Sequence, residues 1–278
     1  MKRLLIAGAA FLSLNAFSQS YLVLNNGVTL TTDKAGLVYD FDNFILPYKI
    51  TVNGGMFMVA DEKLATVDEK GFFYRKDMKV KKIKGKGFNY LIDDDSNLLS
   101  IDSQGFFYKF DKDSPFKKPI VFGGNYLTVS NEKKKSVDLY TVNSKGLYFN
   151  PALPGLNAAD IIPSPGNYFM TRTGGVYTIA RDGLVFSKAG QYKIGALKKT
   201  GGNFFIDNAN FLFTVTDAGF LMCPILPKGL VPANIVKVGA NYMIDTDGKL
   251  FVVDATTGLI NERVVKEHDL RNTKVLSI

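Results

Sequence analysis

One cysteine, one histidine and no tryptophan among 278 residues narrow the chemistry before any motif is read. A single Cys223 forms no internal disulfide, so the fold must be held by its core even in an oxidising compartment. It falls in the apolar run from Phe220 to Pro224 and reads as a small core residue rather than a nucleophile. His268, in the polar segment KEHDL, reads as solvated surface, and no second His exists for a zinc cluster. A G-x-S-x-G elbow is missing as well. The sequence therefore holds no catalytic constellation and implies no metal and no cofactor, and the chain is expected not to be an enzyme. Apolar residues at three- and four-residue spacing over ten or more positions are also missing, which excludes a helical layer.

Long apolar runs are scarce too. The longest, Leu4 to Leu14, follows Lys2 and Arg3 and precedes Ala16 and Ser18, the order of a secretory signal peptide over residues 1–18. It is too short to span a bilayer, and no later run is long enough to stop transfer. Without a cysteine at the end of the signal, lipid attachment there is excluded. The expectation is a periplasmic or secreted bacterial protein with one domain over residues 19–278. Removing Lys2 and Arg3 from the 34 basic residues leaves 32 against 26 acidic, a net charge of +6. That excess bears on encounter with anionic surfaces and says nothing of fold.

What is plentiful is glycine, and it is periodic. Gly36, Gly71, Gly105, Gly146, Gly183, Gly219 and Gly258 each follow a polar turn and precede Leu or Phe, at steps of 35, 34, 41, 37, 36 and 39 residues. A period near 37 signals a repeat architecture. Within each repeat, apolar stretches of four to six residues rich in Val, Ile, Phe and Tyr alternate with Gly, Asn and Asp turns, which reads as four short strands. An aromatic opens the second strand: Tyr21, Phe57, Tyr90, Tyr126, Tyr168, Phe204 and Tyr242. Small-residue pairs such as Gly54-Gly55, Gly123-Gly124 and Gly201-Gly202 precede it and are expected to supply positive φ.

These features predict an all-β, seven-bladed β-propeller of four-stranded repeats of about 37 residues. The C-terminal strand, Lys274 to Ile278, is expected to join three N-terminal strands in the first blade and close the ring. A phase in which every blade is contiguous fits the same spacing, and an open solenoid is the alternative fold. The stretch IVKVGANYMIDTDGKLFVVD resembles repeats of the regulator-of-chromosome-condensation type, and its IDTDGKLFVVD segment resembles NHL-type repeats. The resemblance is one of pattern and transfers no functional residue.

Candidate binding residues are basic. Lys81, Lys82 and Lys84 lie in KVKKIKGKG, and Lys198, Lys199 and Lys237 occupy the corresponding first strands of the sixth and seventh repeats. If that strand is innermost, these groups line the channel mouth and attract an anionic partner; otherwise they face solvent. Lys133, Lys134 and Lys135 lie in an insertion of about five residues in the fourth repeat, whose Pro-rich exit runs from Asn150 to Pro165. Such an insertion is either a docking element or an indifferent surface loop. The run Asp93 to Asp95 with Asn97 lacks the Gly and Glu of a calcium loop, having Leu98 and Gln104 there, and reads as a hairpin turn, as does Asp245-Thr246-Asp247-Gly248.

The expected role is a secreted or periplasmic non-enzymatic binding or scaffold propeller that presents a loop face to a protein or anionic envelope polymer. Nucleic acid is not expected as a partner, since no basic stripe interleaves with stacking aromatics. A propeller-based hydrolase or lyase and a structural or adhesive surface component are the alternatives.

Overall fold

The computed structural model describes residues 21–23, 29–41, 50–60, 62–80, 82–110, 115–188, 191–265 and 270–272. The signal segment, Lys81, His268 and the closing strand Lys274 to Ile278 lie outside the described residues. Strands form seven antiparallel sheets in chain order, each a simple meander. The first holds three strands, Tyr21–Val23, Thr29–Thr32 and Val38–Phe41. The other six hold four each and span residues 50–79, 83–110, 119–149, 161–187, 197–222 and 235–263. Only three short 3-10 turns, such as Ala158–Asp160, interrupt the strands among the described residues.

This is an all-β propeller of four-stranded blades, with one correction to the sequence reading. Six blades are complete where seven were expected. The first sheet begins with Tyr21, which elsewhere opens the second strand, so it lacks its first strand among the described residues.

The burial pattern explains why the blades stack. Second and third strands are largely apolar on both faces, and several, such as Phe57–Ala60, Leu98–Ile101 and Phe204–Asp207, are buried throughout. A sheet buried on both faces needs a neighbour on each side. Apolar clusters accordingly lie between consecutive sheets, as where Phe204 and Ile206 meet Met243 and Phe251. Another joins the first sheet to the last through Leu22, Leu30, Tyr242 and Val252. Each fully buried Phe or Tyr contributes roughly 2–3 kcal/mol from its apolar area.

Polar atoms stitch the same interfaces. Buried aromatics open the second strands, and where they are Tyr the phenol reaches the next sheet. Tyr21 donates to the Phe57 carbonyl at 3.1 Å, Tyr168 to that of Phe204 at 2.9 Å and Tyr242 to that of Tyr21 at 3.4 Å. In six sheets a Thr or Ser, on the third strand or on its counterpart Thr29–Thr32 in the first sheet, donates to the turn glycine of the following sheet, from Thr31 to Gly71 and Thr66 to Gly105 onward to Thr214 and Gly258. In the seventh sheet that position is Val252, and the Gly36 carbonyl instead accepts from Arg263 Nε at 2.6 Å.

All seven periodic glycines have φ between 73° and 91°, the left-handed region their turns require. The glycine pairs before the aromatics serve another purpose, which corrects the sequence reading. None of the three pairs has positive φ. A Cβ on Gly123 would lie 2.0 Å from the Tyr126 ring, and one on Gly124 2.2 Å from the Gly166 carbonyl of the next sheet. Room, not backbone conformation, selects glycine there.

Candidate binding site

Antiparallel pairing brings the start of every second strand and the end of every third strand to one end of the sheets. Two sets of turns meet there around a cavity of about 160 Å³ that takes lining residues from all seven sheets.

The turns after the third strands form the tighter set. Lys34 N–H donates to the carbonyl of Glu69, and the same bond runs from Glu69 to Ser103, to Ser144, to Arg181, to Asp217 and to Ala255, at 2.7–3.0 Å. Ala255 N–H then donates to Lys34 at 2.8 Å, which returns the circuit to its start. Because successive residues are joined backbone to backbone, their side chains gather about one axis. Glu69 of the second sheet meets Arg181 of the fifth at 2.5 Å, with Lys34 at 3.4 Å on its other oxygen. Arg181 also lies 4.0 Å from Asp217, whose carboxyl is raised above its ordinary value by burial and pulled back by Arg181.

The second set is a run of amides. Asn89, Asn125, Asn167, Asn203 and Asn241 stand immediately before the strand-opening aromatics of five consecutive sheets and line the cavity; Met56 takes that place in the second sheet. Their backbone carbonyls are spent on the third strand of their own sheet, as from Ile101 N–H to Asn89 and from Val253 N–H to Asn241. Asn89 Nδ2 donates to the Asn143 carbonyl of the neighbouring sheet at 3.1 Å, and Asn241 Nδ2 to that of Asp33 at 2.7 Å. Thr32 donates to Asn241 Oδ1. The Oδ1 atoms of Asn89, Asn125, Asn167 and Asn203 are buried with no hydrogen-bond partner, and so is Asn203 Nδ2.

Outside the cavity, the residue after each turn glycine repeats a different chemistry. Leu37, Phe72, Phe106, Leu147, Leu184, Phe220 and Leu259 are all exposed, by 44–64%. One large apolar side chain per sheet thus stands at the same end of the molecule as the cavity.

No family profile and no curated protein matches the sequence. Among solved structures the chain is similar to the crystal structure of the N-terminal domain of Nup159, with 11% identity over 93% of this chain and 81% of that one and a TM-score of 0.23. It is also similar to an S. cerevisiae assembly of a Dbp5 variant bound to Nup159, a Gle1 variant, IP6 and ADP, with 9% identity over 89% of this chain and 61% of that one and a TM-score of 0.20. Superpositions this loose carry no argument about role, and the fold rests on the strand pairing.

The lysines singled out from sequence are placed elsewhere. Of the eight described, none lines the cavity. Lys82 is exposed. Lys84 and Lys198 sit at β-bulges in their first strands, where the register shifts by one residue. Both side chains are thereby turned toward the opposite, second-to-third-strand end, where they donate to Ser96 and Asn210 at 2.8 Å. Lys199 caps the Ile235 carbonyl of the next sheet, and Lys237 caps those of Leu270 and Arg271. Lys133, Lys134 and Lys135 are exposed at the tip of a hairpin whose strands, Tyr126–Asn131 and Ser136–Val142, are lengthened to six and seven residues. That hairpin also joins second to third strand, so its tip lies at the end away from the cavity. The exit from Asn150 is docked rather than loose, with Leu153, Leu156 and Ala158 packed on Tyr126 and Phe169.

Cys223 is corrected from core to exposed, because it follows the short outer strand Leu221–Met222. Asp93 spends both carboxylate oxygens on Asn97 in a hairpin turn. Among the described residues no group of three His, Cys, Asp or Glu is arranged to hold a metal, and no helix is long and apolar enough to cross a membrane.

Proposed function

We propose that the protein is an exported, non-enzymatic binding or scaffold propeller, working in the periplasm or outside the cell, that docks another protein on the cavity end of its blades. The seven exposed Leu and Phe side chains carry this reading. Scattered apolar side chains on a surface need no explanation, but one per blade at a single turn position forms an ordered apolar array, the kind of surface that marks a contact site. Each is about half exposed, which suits a flat partner face. The residues beside the glycines, Ala35, Lys70, Gln104, Lys145, Asp182, Ala218 and Thr257, are mixed in charge. This favours a protein over an anionic membrane or polymer, which would select a basic collar. We further propose that Lys274 to Ile278 supplies the first strand of the first sheet and completes seven blades. The strand Tyr21–Val23, which pairs on one side only among the described residues, and the packing of the first sheet on the last support that closure.

The test is cross-linked capture by the tagged mature protein from its native envelope and medium, beside Leu184→Glu/Phe220→Glu and a triple Lys133, Lys134 and Lys135→Glu variant, each first shown to keep its melting temperature. One protein lost with the apolar variant and kept with the lysine variant supports the reading. A protein lost only with the lysine variant moves the interface to the opposite end, and binding to liposomes in place of any protein overturns it. A second reading, a propeller hydrolase, is favoured by the convergence of Glu69, Arg181 and Asp217 from three blades, since paired carboxylates in unlike environments serve acid and base roles. Hydrolysis of a glycoside or ester panel that is lost in Glu69→Gln and Asp217→Asn would establish it.

A further inference from the structure

The amide run demands a ligand of its own. A buried amide oxygen without a partner costs on the order of 1–3 kcal/mol, and four stand on consecutive sheets facing one cavity. Asn89 is 4% exposed and Asn203 7%, so bulk water does not satisfy these two, while Asn125 and Asn167 are partly buried with their Oδ1 atoms out of reach of solvent. Their orientation is not arbitrary. The bond from Asn89 Nδ2 to the Asn143 carbonyl fixes its amide and leaves Oδ1 as the unpaired atom of a cavity-lining residue. Across the run the unpaired atoms are four acceptors against one donor, Asn203 Nδ2, so the cavity asks mainly for donors.

Charge points the same way. Asp33, Asp68, Glu69 and Asp217 line the cavity against only Lys34 and Arg181. Both cations are paired with carboxylates, Lys34 with Glu69 and Arg181 with Glu69 and Asp217, so the excess is negative. Phe88 and Met56 add an aromatic ring and a polarisable apolar side chain to the lining, from the sheets where the amide run stops. An ammonium group has three donors and no acceptor, and gains further from an aromatic face. We propose that this cavity is a binding site for a small organic cation of the primary-amine class, its ammonium held by the Oδ1 atoms of Asn125, Asn167 and Asn203 and its methylene body against Phe88.

The neighbouring Asn241 supplies the internal control. Its amide is engaged on both sides, by Thr32 and by the Asp33 carbonyl, so it serves structure. Asn203 makes no side-chain bond at all. Replacing a structural amide by Leu destabilises the fold, whereas replacing one kept for a ligand leaves the protein as stable or more so.

The experiment titrates the mature protein with 1,4-diaminobutane, 1,4-butanediol and potassium chloride, by calorimetry and by thermal unfolding. The expected result is saturable one-to-one binding of the diamine that raises the melting temperature, with neither the diol nor potassium reproducing it. Asn203→Leu should weaken the diamine at least tenfold while melting at or above the wild-type temperature, and Asn203→Asp, which keeps the shape and adds charge, should tighten it. Asn241→Leu should melt lower. The proposal is overturned if the diol or potassium binds equally, if Asn203→Leu retains the diamine, or if no diamine binds and Asn203→Leu melts lower than wild type, which would make the amides a structural water site.

Discussion

Arg263 reaches from the last sheet to the first and donates Nε to the Gly36 carbonyl at 2.6 Å, taking the place that a hydroxyl fills at the six other interfaces. Val252 stands where those interfaces have Thr or Ser, with Cγ1 3.1 Å from the position a Cβ on Gly36 would take. Thr66 Oγ1 holds the matching place at 3.3 Å beside Gly105. The junction between the chain's first and last sheets is thus the one that exchanged a short local donor for a long one.

Arg263→Ala should lower stability by about 1–2 kcal/mol by orphaning that carbonyl, a fall of about 2–8 °C in melting temperature for a chain of this size. Val252→Thr added to it should recover most of the loss, since a hydroxyl there lies within reach of Gly36. Urea unfolding of the four proteins of this cycle checks both, and a double variant no more stable than Arg263→Ala refutes the equivalence.

Two glycine substitutions separate conformation from space. Gly155 has φ +80° with nothing near its missing Cβ, so Gly155→Ala meets only the left-handed backbone cost of about 1 kcal/mol. Gly124 carries no such φ, but its Cβ would lie 2.2 Å from a backbone carbonyl of the next sheet. Gly124→Ala should cost more, about 2–4 kcal/mol, because two sheets must separate to admit it. Equal melting temperatures for the two variants would show that the interface yields.

The strands and their period were legible because the turn glycines are forced by backbone conformation, and the strand-opening aromatics by burial between sheets. Both requirements recur in every repeat, so both leave a periodic trace. The residues of the backbone circuit do not: Lys34, Glu69, Ser103, Ser144, Arg181, Asp217 and Ala255 share a backbone role and differ in side chain, which erases the repeat signal. The amides did leave one, since Asn precedes the aromatic at 89, 125, 167, 203 and 241, and that spacing alone marks a common surface. The lysines misled through the assumption that the first strand lines the channel. Bulges that no composition reveals turn Lys84 and Lys198 toward the second-to-third-strand end.

The two ends of the propeller should be separable by charge. Lys133, Lys134 and Lys135 stand at the second-to-third-strand end and Leu184 and Phe220 at the other, so reversing the three lysines should leave any contact of the apolar array unchanged in affinity and in salt dependence. Binding measured at two ionic strengths checks this; a steep salt dependence lost with the lysines would place the contact on the hairpin tip.

Stability should rise and then fall on the alkaline side. Burial lowers the Lys86 ammonium to about 8, whereas in the unfolded chain it holds its proton to an ordinary value near pH 10.4. Between those values the unfolded state binds more protons, so stability increases with pH, by about 3 kcal/mol for this residue. Lys188 and Lys199 are lowered by burial as well and add to the slope. Above pH 10 the sign reverses. Burial raises the phenols of Tyr21, Tyr90, Tyr126, Tyr168 and Tyr242, so the unfolded chain loses those protons first and the stability they confer while neutral declines. Urea midpoints from pH 7 to 11 should therefore peak near pH 10. Lys86→Met should be more stable at pH 7 and show a shallower rise, with the descending limb intact. A Lys86→Met curve that parallels wild type throughout would mean that the ammonium stays hydrated in the folded protein.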